Sequence, residues 1–130
     1  MDPPDLRQVR QDGPGVVTVG NVVLDPSTYL VAIKGHQVAL SPQECRLLEA
    51  LMTRADHVLS VSCLLELVWG PDFTGGPSTV AVHVLRLRKK LSRAPKTARH
   101  IRTVRGAGYI FDTHPVTVSA SKAMAGASRR

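Results

Sequence analysis

Residues 77–93 read PSTVAVHVLRLRKKLSR. Val80, Val84, Leu87 and Leu91 step by four, three and four, so at 100° per residue they gather on one side of a helix. Opposite them lie Ser78, Thr79, Val82, Arg86, Lys89 and Arg93. Pro77 suits a first helical position and Pro95 lies beyond the end, which predicts a helix from near Pro77 to about Arg93. One face is made for a core. The other is cationic, with small polar residues at its N-terminal end. That division suits a helix lying in the major groove of a duplex, where Arg, Lys and small side chains meet base edges and the N-terminal turns reach deepest.

Downstream, Ile101 to Val104 and Tyr109 to Phe111 read as two strands joined by Arg105-Gly106-Ala107-Gly108. The glycines permit the positive φ of a tight hairpin, which puts Arg105 at its tip. Upstream, Ser60 caps a short helix through Leu64, Leu67 and Val68 to Trp69, stopped by Gly70-Pro71. Asp72, Phe73, Thr74, Gly75 and Gly76 form the loop into the cationic helix. Earlier still, Ser41-Pro42-Gln43-Glu44 is a capping box with proline at the first helical position. Its helix runs to about Arg54 and buries Leu47, Leu48 and Leu51. Before it, Val17 and Val19, Val22 and Leu24, Val31 and Ile33, and Val38 and Leu40 recur at period two. With Asp25-Pro26 and Lys34-Gly35-His36 as punctuation, they predict about four short antiparallel strands.

These elements place one α+β domain at residues 15–112. Residues 1–14, rich in Pro, Asp and Gly, read as a linker or a cut end. The stretch 113–130 has no apolar period and reads as a disordered tail.

The charge is uneven. The chain holds 17 Lys+Arg against 10 Asp+Glu. No acid lies between Asp72 and Asp112, while that stretch carries Arg86, Arg88, Lys89, Lys90, Arg93, Lys96, Arg99, Arg102 and Arg105. The part up to Asp72 is net acidic. A cationic surface with no nearby acid to neutralise it points to phosphate binding.

Other classes fit poorly. The 130 residues suffice for a core without a metal or disulfide staple. The two cysteines, Cys45 and Cys63, are not a CxxC pair and show no four-ligand spacing with His57, so both read as core thiols and no metal is expected. There is no run of 18 apolar residues and no signal peptide, so neither a membrane span nor secretion is expected, and a cytoplasmic location is. No nucleophile–base arrangement or phosphate loop appears, so no enzyme and no cofactor are expected; Gly106-Ala107-Gly108 follows a strand but opens no helix.

The segments LSPQECRLLEAL, LLELVWG, STVAVHVLRLRKKL and IRTVRGAGYIF, in this order and spacing, resemble the OmpR/PhoB-type winged helix-turn-helix effector domain of bacterial response regulators in two-component systems. The resemblance covers roughly residues 16–112. It implies a four-stranded N-terminal sheet, three helices and a C-terminal hairpin wing, with the cationic helix in the major groove of double-stranded DNA and the wing arginine in the adjacent minor groove. Val82 and Arg86 resemble the family's base-facing positions. His83, Arg88 and Trp69 resemble its backbone contacts, and Thr103, Arg105 and Tyr109 lie on the matching wing. The Asp72–Gly76 loop is where some members touch RNA polymerase, and two copies often sit head to tail on direct repeats.

Departures from the pattern are Ser78, where Arg or Lys is frequent, Ala81, where Asp is usual, Leu85, where a base is common, and Cys45, where Phe is usual. No phospho-acceptor receiver domain is read in these residues; either the chain is trimmed or the family's usual partner domain is absent, and the linker-like start favours trimming.

Taken together, Arg88, Lys89, Arg93 and His83 are expected on phosphates, Val82, Arg86 and Thr79 in the major groove, and Arg105 in the minor groove. Ser78 lies at the same N-terminal turn. Two readings stand for Trp69, a core or hinge residue and a phosphate donor. His83 likewise reads as a phosphate donor or a packing residue, and Leu85 as a thymine-methyl contact, a contact to a neighbouring copy or a lone exposed side chain. Lys90 reads as a solvated or long-range charge. The alternative function is a protein-interaction winged helix; against it stand the acid-free face and an aromatic content of only 4%, where a protein-binding surface favours mixed charge and aromatics.

Overall fold

A computed structural model describes residue 13, residues 15–92 and residues 100–113. The expected 1–14 and 113–130 ends, and Arg93, fall almost wholly outside the described residues. The chain opens with an antiparallel meander, β1 (Val17–Val19), β2 (Val22–Asp25), β3 (Leu30–Ile33) and β4 (His36–Ala39), paired in sequence order. Two kinds of turn connect it. Ile33 pairs with His36, and Lys34 and Gly35 between them both take positive φ, at 51° and 88°, as the twist of a two-residue hairpin demands. At Asp25 the fully buried carboxylate accepts from the Ser27 amide at 3.1 Å and the Ser27 hydroxyl at 2.7 Å, which closes an Asx-type turn.

Alternation holds on the inner face, where Val22, Leu24, Val31 and Ile33 join the main core. β3 departs from it. Leu30 and Ala32, pointing the other way, are also buried and pack with Val23 in a small second cluster.

Helix α1 (Pro42–Thr53) starts at the expected capping box: Ser41 Oγ accepts from the Glu44 amide at 3.2 Å, and Glu44 Oε1 accepts from the Ser41 amide at 2.9 Å. It buries Leu47, Leu48 and Leu51, and also Cys45 and Met52. Ser60 caps α2 (Val61–Leu64), its hydroxyl accepting from the Cys63 amide at 3.1 Å. The expected single helix to Trp69 changes character at Leu65, because residues Leu65–Trp69 form a π-helical turn, a widened coil that shifts the side chains beyond it. Leu64 and Val68 face the core and Leu67 is left exposed. Gly70, at φ 95°, ends the segment.

Helix α3 (Pro77–Leu91) buries the predicted stripe of Val80, Val84, Leu87 and Leu91 completely. It ends two residues short of the expected Arg93, with Ser92 as its cap. A hairpin of β5 (Ile101–Val104) and β6 (Gly108–Phe111) follows, with Thr103 opposite Tyr109 and Val104 opposite Gly108. Gly108 therefore belongs to the strand and not to the turn. The reason is packing: Leu59 and Tyr109 exchange backbone hydrogen bonds at 2.8 and 2.9 Å, and a Cβ on Gly108 would meet the Leu59 carbonyl oxygen at 1.9 Å. The bridge stitches the hairpin to the chain entering α2. Phe111, fully buried, anchors it in the main core.

Candidate nucleic-acid interface

The side of α3 opposite its core stripe exposes Ser78, Ala81, Val82, Leu85, Arg86 and Lys89. Leu85 is 55% and Val82 41% accessible, so the face carries an apolar strip between its cations. Thr79, His83, Arg88 and Lys90 are half-buried on its flanks. On the hairpin, Arg102, Thr103 and Arg105 are exposed and Tyr109 is half-buried. No hydrogen bond or ion pair among the described residues holds the side chain of Arg86, Lys89 or Arg105.

The other cations are engaged. Arg88 Nε donates to the Ile101 carbonyl at 3.0 Å, and its Nη2 donates to Thr103 Oγ1 at 2.8 Å. Two residues read from sequence as DNA contacts thus bind each other and fix the hairpin beside α3. Lys90 corrects the sequence reading. It is not a solvated charge: its Nζ donates to the buried Glu44 Oε1 at 2.6 Å. Burial pushes the Glu44 carboxyl up, but Lys90 and Ser41 together outweigh it and hold it below the usual carboxylate range. The glutamate of the capping box therefore also locks α1 to the last turn of α3. Arg102 pairs with Asp112 at 3.3 Å.

Around the N-terminal half of α3 the aromatics line up. The His83 ring stands edge-on to Trp69 with centroids 5.0 Å apart, and Phe73 lies 5.8 Å from Trp69 on the other contact. His83 Nδ1 is 2.8 Å from the Thr79 carbonyl oxygen. Gly75 passes beneath the Phe73 ring, where a Cβ would come within 2.2 Å of it. The Asp72–Gly76 loop is exposed for most of its length and fastened to Trp69 by Phe73. Trp69 itself is half-buried and packs against the main core. Of the expected residues, Val82, Arg86, Lys89 and Ser78 share one face of α3, and Arg88 draws Thr103 to that helix. Reading the sequence missed Phe73 as an aromatic contact. Its signal was only an aromatic four residues after Trp69.

Cys45 is buried, and burial, with Glu49 and Asp25 adding to it, pushes its thiol up to about 11, so it is a protonated core group. Among the described residues no three His, Cys, Asp or Glu side chains come together as a metal site, and no helix is long and apolar enough to cross a membrane.

The family described as "Transcriptional regulatory protein, C terminal" matches residues 35–111. The sensory transduction protein RegX3 of Mycolicibacterium smegmatis is 40% identical over 95 residues, 73% of this chain and 42% of that protein. The phosphate regulon transcriptional regulatory protein PhoB of Pseudomonas aeruginosa is 38% identical over 109 residues, 81% of this chain and 47% of that one. The chain thus spans less than half the length of either relative. The DNA-binding domain of Klebsiella pneumoniae RstA, solved in complex with the RstA box, superposes with a TM-score of 0.65 at 33% identity, over 77% of this chain and 99% of that one. Sheet, three helices and hairpin wing, together with these matches, place the chain in the transcriptional regulatory C-terminal family, as an OmpR/PhoB-type winged-helix DNA-binding domain of response regulators.

Proposed function

We propose that residues 15–112 bind double-stranded DNA sequence-specifically, with α3 in the major groove and Arg105 in the adjacent minor groove. One observation carries this reading: Arg86, Lys89 and Arg105 are exposed and unpaired among the described residues, on two elements that the Arg88–Thr103 contact holds together. Unpaired guanidinium groups facing solvent are free to meet phosphates and guanine edges. Val82, Thr79 and Ser78 lie along the same helix to meet bases. Lys89 and Arg93 act on phosphates, and Trp69, Tyr109 and the exposed Thr103 border the backbone. The Asp72–Gly76 loop, exposed beside this face, is the surface for RNA polymerase, and two copies bind in tandem on direct repeats.

Selection of bound duplexes from a random library tests the whole reading, returning a short half-site and its spacing. Binding that neutralises roughly 4–6 phosphates per copy gives a log K against log salt slope of about −4 to −5. A flat salt dependence with no enriched sequence refutes the reading and favours a protein-interaction module.

A further inference from the structure

We infer that Leu85 is a specificity-determining residue that reads the 5-methyl group of a pyrimidine, so that the half-site carries a thymine packed against this leucine. The inference rests on the proposed docking of α3 on DNA and names a base contact within it. Leu85 is the most exposed large apolar side chain among the described residues, at 55% accessible, and Val82 one turn before it is 41% accessible. Neither belongs to a core cluster, so the fold itself has no use for an apolar group there. At about 100° per residue, Val82 and Lys89 lie along the line opposite the buried stripe, with Leu85 about 50° to one side and Arg86 about 50° to the other. The leucine is therefore presented to the same ligand as the two cations.

Charge decides what that ligand is. Arg86 and Lys89 border the leucine, their side chains pair with no acid among the described residues, and α3 contains no acid at all. A second copy of the chain meeting this strip through the same face would set like charges against each other. A duplex puts phosphates against the cations and base edges between them.

The base edges then sort themselves by chemistry. In the major groove thymine offers a methyl group, cytosine an amino donor, and the purines polar atoms only. Leu85 has neither donor nor acceptor. Against cytosine or a purine it strips water from a polar edge and returns no bond. Against thymine it buries a methyl group. A lysine or arginine at this position would seek guanine acceptors instead, so the leucine turns one base position from guanine to thymine.

The test uses the 130-residue chain on the duplex returned by library selection. Each thymine of the half-site is replaced in turn by deoxyuridine, which removes the methyl group and keeps every hydrogen-bonding group. At one thymine the exchange should weaken binding about fourfold, the worth of one buried methyl group. At that position 5-methylcytosine should bind better than cytosine. Leu85→Ala should abolish the uracil penalty, Arg86→Ala should leave it, and Leu85→Lys should move the preference there to guanine. Leu85 is exposed, so its variants should keep the wild-type melting curve, and the deoxyuridine exchange leaves the protein untouched. A half-site without thymine, no uracil penalty at any thymine, or a penalty that persists in Leu85→Ala overturns the inference while leaving DNA binding intact. Leu85→Ala that matches the wild type on single half-sites and loses only cooperativity on direct repeats also overturns it, because Leu85 then faces a neighbouring copy. Absence of duplex binding and of any enriched sequence overturns the proposed function itself, and with it the inference.

Discussion

Arg88 Nη2 donates to Thr103 Oγ1 across 2.8 Å, and this bond joins the helix that carries Arg86 to the strand that leads to Arg105. With Nε on the Ile101 carbonyl it forms a two-point clasp that a lysine, lacking the planar fork, cannot copy. Arg88→Lys should therefore lower stability by about 1–2 kcal/mol in urea denaturation. Arg86→Ala removes a side chain without a partner in the fold and should change it by less than about 0.5 kcal/mol.

The Glu44–Lys90 pair makes stability pH-dependent. A carboxyl held below its unfolded value contributes stability that is complete above the ordinary carboxylate range and is lost as pH falls through the depressed folded value. Lys90→Ala leaves Glu44 buried and unpaired and should cost about 1–3 kcal/mol at neutral pH, discounted because Lys90 is partly exposed. The difference between variant and wild type should shrink as the pH falls below about 4. A cost that stays constant through that range would rule out an ionic role for the pair.

Two glycines of the wing make opposite demands. Gly106 takes a positive φ but has open space around its Cα, so Gly106→Ala should cost about 1 kcal/mol. Gly108→Ala drives a methyl into the Leu59 carbonyl and should cost about 2–4 kcal/mol. Hydrogen exchange at the Leu59 and Tyr109 amides should speed up in the second variant and not in the first.

On the selected half-site, Arg86→Ala should weaken binding by about 1–3 kcal/mol and relax preference at one or two base pairs. Lys89→Ala should weaken all duplexes more evenly and reduce the salt slope. Equal weakening of selected and random DNA by Arg86→Ala would remove it from the base readers.

Arg105→Ala should leave the melting temperature nearly unchanged and weaken binding chiefly where A·T pairs flank the half-site, because a narrow minor groove concentrates negative potential. Measuring both proteins on A·T-flanked and G·C-flanked duplexes completes a double-mutant cycle. A coupling energy near zero would place the wing outside the minor groove.

Local spacing announces what local chemistry decides. The Ser41 capping box, the Val80–Leu91 stripe and the glycine-bearing hairpin were all legible because each is settled within a turn or two of chain. What escaped depends on partners far along the sequence. Lys90 finds Glu44 at 46 positions' distance and Arg88 finds Thr103 at 15, and a periodicity says which face a residue takes but not what waits there. Gly108 looked like a turn glycine because only the fold brings Leu59 against it. The π turn at Leu65–Trp69 left no mark in a helical pattern whose spacing fits either coil.

The chain has one tryptophan, and it stands with Phe73 of the loop on one contact and His83 of α3 on the other. Its emission therefore carries no background from other indoles. Any change in how Phe73 or His83 packs against the indole alters its surroundings, and the emission of Trp69 reports it. The protein holds a built-in optical gauge at the seam between its loop and its cationic helix, readable without any label.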